Sequence, residues 1–92
     1  MEDLLGRARA FLRGPSIIGD PSHRLVHRYV AGQLSDDPET RELLSLCLAD
    51  AHAEAARFED ATEGPARDAR CFYQRAAELL TDIKAEMSAC PP

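Results

Sequence analysis

Two long amphipathic stretches, Pro38–Ala61 and Pro65–Ser88, meet at one break, Gly64-Pro65, and this pairing limits what the chain can fold into more than any other feature. Both are too long for strands, and their apolar residues recur at helical spacing. Placed at about 100° per residue, Leu43, Leu44, Cys47, Leu48, Ala51, Ala55 and Phe58 form one arc of the first stretch. Ala69, Phe72, Tyr73, Ala76, Leu79, Leu80, Ile83 and Met87 form one arc of the second. In an antiparallel hairpin turning near residue 64, facing positions have numbers that add to a constant. Leu44 with Ile83, Cys47 with Leu80, Ala51 with Ala76, Ala55 with Phe72 and Phe58 with Ala69 each add to 127. The two arcs therefore match rung for rung, with Ala51 opposite Ala76 permitting close approach. At about 1.5 Å per residue the hairpin spans roughly 36 Å.

The helix starts are written in the same device twice. Asp20-Pro21 and Asp37-Pro38 each place an acid where its side chain can accept from free amides, and a proline where no amide is needed. Glu39 and Glu42 add negative charge to the first turn of the longer helix, where the helix dipole favours it. Ahead of the hairpin, Leu4, Leu5, Ala8, Phe11 and Leu12 define a helix over 2–13, stopped by Gly14-Pro15. Leu25, Val26, Tyr29 and Val30 define a second over 21–34. With 38–61 and 65–88, the expectation is a single all-α domain that is four-helix bundle-like, with two short N-terminal helices packed on a long antiparallel helical hairpin.

Composition narrows the classes. Ninety-two residues make one domain with a modest core. The formal charge of −5 is uneven: residues 1–34 hold five arginines against three acids, and residues 35–92 hold thirteen acids against six bases. The two halves are expected to complement each other within the fold, and no nucleic-acid partner is expected. No membrane span is expected, since no apolar run approaches about 18 residues, and an N-terminus of acids and arginines is unlike a signal peptide. The expected compartment is the cytoplasm. Three scattered cysteines, Cys47, Cys71 and Cys90, give neither a disulfide framework nor a CxxC pair. Neither Cys71 nor Cys90 faces Cys47 in the hairpin register, and the two lie nineteen residues apart, about 28 Å if helical throughout, so no intrachain disulfide is expected.

Chemistry-bearing residues are few. The loop before the second helix carries Ile17 and Ile18 side by side, either plugging the end of the bundle or offering an apolar contact to a partner. His23, Arg24, His27 and Arg28 make the basic run HRLVHR near a helix start, suited to an acidic segment or an anion. His23 and His27 also have the i, i+4 spacing of two metal ligands, but two ligands are not a site, and no metal or cofactor is expected. Cys71, four residues from both Arg67 and Arg75, is the candidate reactive thiol, because nearby cations favour a thiolate. Asp50, Glu54 and Arg57 share one side of the long helix as a salt-bridge ladder, and His52 points to solvent. The run Gly64–Leu79 has a local likeness to the second helix of a tetratricopeptide repeat, but a 34-residue shift finds no second copy, and no family is assigned.

No phosphate-cradling glycine loop, nucleophile elbow or zinc pattern is present, and no catalytic residue is assigned. The expected function is a non-enzymatic helical interaction protein that binds another protein or itself, homodimerisation being one outcome of pairing two hairpins. Metal- or thiol-dependent chemistry at His23 and His27 or Cys71, and anion binding by the basic helix, are the alternatives.

Overall fold

A computed structural model describes residues 3–14, 17 and 19–89, and among them there are four helices and no strand. They are α1 (Leu4–Arg13), α2 (Pro21–Val30), α3 (Pro38–Arg57) and α4 (Gly64–Ala89). The fold is the expected one, an antiparallel α3–α4 hairpin carrying two short helices. The molecule is elongated, 44 × 25 × 24 Å.

Both Asp-Pro starts cap as their chemistry requires. The Asp37 carboxylate accepts the Thr40 amide at 2.8 Å, and Asp20 accepts the Ser22 amide at 2.9 Å. The first helix begins later than the apolar pattern suggests, because Asp3 is its cap: its carboxylate accepts the Gly6 amide at 2.7 Å, so α1 starts at Leu4. α2 ends at Val30, four residues short of the expected Leu34. Gly32 takes a left-handed φ of 71°, its amide donates to Tyr29 at 3.1 Å, and the Gln33 amide donates to Arg28 at 2.9 Å. This reversed pairing is a Schellman stop, which glycine permits without strain. α3 ends at Arg57 rather than Ala61, because the Phe58 and Glu59 amides reach back three residues, to Ala55 and Ala56, and tighten the last turn. Arg70 crosses from α4 and donates to the Ala61 carbonyl at 2.5 Å, tying that turn to the hairpin.

The core follows the two arcs. Leu44, Cys47 and Ala51 on α3, and Ala76, Leu80 and Ile83 on α4, are all buried, so the three inner rungs of the hairpin are core throughout. The outer rungs loosen: Ala55, Phe58 and Ala69 are half-buried while Phe72 is closed over. The reason lies in where the short helices sit.

Arg7 pairs with Asp82 at 2.6 Å, and the Phe11 ring packs 5.2 Å from Phe72, so α1 runs antiparallel to α4. Tyr73 donates to Asp20 at 3.0 Å and Tyr29 donates to Glu86 at 2.9 Å, so α2 runs parallel to α4 and antiparallel to α3. α1 and α2 therefore lie side by side over the stretch from Phe72 to Glu86, instead of extending along the whole hairpin. Beyond them the tip projects, and residues 62–68 are all exposed.

Candidate functional site

The sequence-derived candidates do not converge on a reaction centre. His23 is half-buried and His27 exposed, with Arg24 and Arg28 exposed beside them. Among the described residues no three His, Cys, Asp or Glu side chains come together in a way that could hold a metal ion. Ile17 is 39 % exposed, and Ile18 and Cys90 lie outside the described residues.

Cys71 is half-buried and unbridged, in a hollow of about 270 Å³ that it shares with Arg67, Asp68, Phe72 and Arg75. Arg67 is turned to Asp68 at 3.1 Å, which spends part of its charge on a neighbour. Cys47 is buried in the core, and burial, with Asp20 and Asp50 nearby, pushes its thiol above the usual range. A buried neutral thiol of this kind is packing, not a nucleophile.

Of the expected ladder of Asp50, Glu54 and Arg57 on α3, the Glu54–Arg57 pair is formed. Arg57 forks onto both oxygens of Glu54 at 3.1 Å and lies 5.4 Å over the Phe58 ring. His52 is exposed, at the edge of an open groove of about 660 Å³ where α1, α3 and α4 meet and the Arg7–Asp82 pair lies.

The polar groups that are well placed hold helices together. Asp20 is both the cap of α2 and the acceptor for Tyr73 of α4, each oxygen taking one donor. Burial chiefly, and then the bond to Asp20, pushes the Tyr73 hydroxyl up to about 12. Burial and the bond to Glu86 do the same for Tyr29, also about 12. The Asp37 carboxyl is held below its usual range, first by the Thr40 amide and then by Arg28 and Arg41. Arg28 therefore stands on the side of α2 that borders the start of α3.

The surface that stands out is apolar. Leu43 is 41 % and Leu46 62 % exposed, one turn apart on α3, and Ala49, Ala53 and Ala56 continue the outward face toward Arg57, exposed as well. The angle of Leu43 predicts a place in the core arc; at the edge of that arc it stands on the shoulder instead, while Leu44, Cys47 and Ala51 are buried. Leu46 belongs to neither core face. The signal for it was in the run LLSLCL at 43–48, four leucines in six residues, too many for one stripe of a helix.

No protein-family model, curated protein or solved structure matches the chain.

Proposed function

We propose that this chain is a small non-enzymatic helical interaction module of the cytoplasm that acts as a regulator, adaptor, assembly chaperone or accessory subunit through the outward face of α3. The observation that carries this is the pair Leu43 and Leu46, large apolar side chains left 41 % and 62 % exposed on a helix whose opposite face is already closed in the core. A single exposed leucine is ordinary on a protein surface. Two, one turn apart and followed by a run of exposed alanines with Asp50 at their side, make a groove-and-ridge surface that a partner helix can fill. The scattered thiols suit a reducing compartment.

A photo-reactive residue tests the reading directly. Placed at Leu46 it is expected to form protein adducts in cells that express the chain, whereas the same residue at exposed Ala66 on the projecting tip is not. Equal adducts from the two positions would overturn the assignment of the face.

A further inference from the structure

We infer that the outer face of the α1–α2 layer is a binding site for a short acidic segment of another protein. It lies on different helices from the α3 face proposed above and stands independently of it.

Between them, α1 and α2 carry five arginines and two histidines and not one acid. The acidic remainder of the chain is expected to neutralise such a basic part within the fold, and it does so by an ion pair for one side chain: Arg7 turns to α4 and meets Asp82. Among the described residues Arg9, Arg13, Arg24 and Arg28 form no ion pair, and all four are exposed. The acids that border them are engaged. Asp3 caps α1, Asp20 caps α2 and accepts from Tyr73, and Asp36 holds Arg41. Asp37 caps α3 and feels Arg28, so part of the Arg28 charge is offset at the α3 edge. The face is therefore centred on Arg9, Arg13 and Arg24.

The fold brings these residues together. α1 runs antiparallel to α4 and α2 parallel to it, so α1 and α2 are antiparallel, and Leu5 and Val30 line one hollow. Facing numbers then add to about 35, which sets Arg9 level with Val26 and His27, and Arg13 level with Ser22 and His23. At about 100° per residue, Arg9 and Arg13 stand on the flank of α1 turned away from Arg7 and α4. Arg24 and His27 stand opposite Ser22, Leu25 and Val26, which are buried. Arg9 and Arg13 are four residues apart, about 6 Å of helix rise. Two ten-residue helices thus present a face about 15 Å long whose charged groups are all basic.

Size and sign select the partner. Beyond this face, residues 35–92 hold thirteen acids against six bases, so a long nucleic acid or an anionic bilayer that overran it would meet like charge. A helical segment of about ten residues stays within it. Carboxylates one turn apart on that segment match the spacing of Arg9 with Arg13, and the arginine fork takes a carboxylate through two parallel hydrogen bonds.

Fluorescence anisotropy of a labelled ten-residue oligoglutamate, titrated with the full chain, tests this. Binding is expected at about 20 mM salt and is expected to weaken more than about tenfold at about 300 mM. Arg9→Gln, Arg13→Gln and Arg24→Gln are each expected to weaken it about two- to fivefold, and the three together to abolish it, at unchanged melting temperature. Arg67→Gln, on the projecting tip, is expected to leave binding as it is. No binding at the lower salt overturns the inference. So does a triple variant that binds as the wild type does, or an Arg67→Gln loss equal to that of Arg24→Gln. A single-stranded DNA decamer or phosphatidylserine vesicles bound more tightly than the peptide would overturn the choice of an acidic protein segment.

Discussion

The two faces of α3 come from the same few residues and behave in opposite ways. Facing inward, Leu44, Cys47 and Ala51 are 0 %, 7 % and 1 % exposed; facing outward, Leu43 and Leu46 are 41 % and 62 % exposed. The inward face is fixed by α4, whose Ala76, Leu80 and Ile83 close over it. Among the described residues, nothing covers the outward face at Leu43 and Leu46. A helix needs one apolar stripe to join a bundle, and α3 carries a second that the fold does not use. On the proposed reading, stability and association depend on different residues of one helix, and each can be changed without the other.

The largest expected effect is on the inward side. Leu44→Ala opens a cavity at a fully buried position and is expected to cost about 2–5 kcal/mol, read as a lower urea midpoint at unchanged slope. A loss near zero would mean that the two faces of α3 are not distinct. Next is Asp20→Ala, which removes the α2 cap and the acceptor for Tyr73 in one step, for about 2 kcal/mol. Because α2 packs against α3 as well as α4, this variant sharpens the comparison: it should lower the melting temperature, while any change in association beyond that loss would show that α2 itself is part of the interface.

A smaller effect comes from pH. The Tyr29 and Tyr73 hydroxyls are raised from 10.0 to about 12 by burial and by their bonds to Glu86 and Asp20. Below pH 10 both are protonated whether the chain is folded or not, and their contribution is fully present. Between pH 10 and about 12 the unfolded chain gives up protons that the folded chain keeps, so stability falls as pH rises through that window. Tyr29→Phe with Tyr73→Phe is expected to flatten the melting temperature across it. An unchanged slope would remove these bonds from the list of what holds the short helices to the hairpin.

Much of the hairpin was legible because its information is periodic and local. The Asp-Pro starts, the break at Gly64-Pro65 and the matched arcs depend on spacing alone, and Leu44, Cys47, Ala51, Ala76, Leu80 and Ile83 are where spacing puts them. Helix ends were less legible. Gly32 stops α2 by adopting a left-handed conformation, and Phe58 closes α3 with a tightened turn, and neither interrupts the apolar period. The outward stripe was misread for a tertiary reason. Angle arithmetic gives Leu43 a place at the edge of the arc, but which edge is covered depends on where neighbouring helices land, and those are tied by contacts distant in sequence, such as Tyr73 with Asp20, fifty-three positions apart. The basic run of α2 and the acidic turn of the hairpin were visible as composition, while the placement of Arg28 near Asp37 required the fold.

The most direct measurement pairs thermal unfolding with photo-capture for Leu46→Glu, the photo-reactive residue standing at exposed Ala53 of the same face. The side chain is 62 % exposed, so the substitution is expected to leave stability within about 0.5 kcal/mol of the wild type while placing a charge at the centre of the outward stripe. The expected result is an unchanged melting temperature with the protein adducts lost. A variant that forms adducts as the wild type does, or one that unfolds, would contradict the separation of an inward face for folding from an outward face for association.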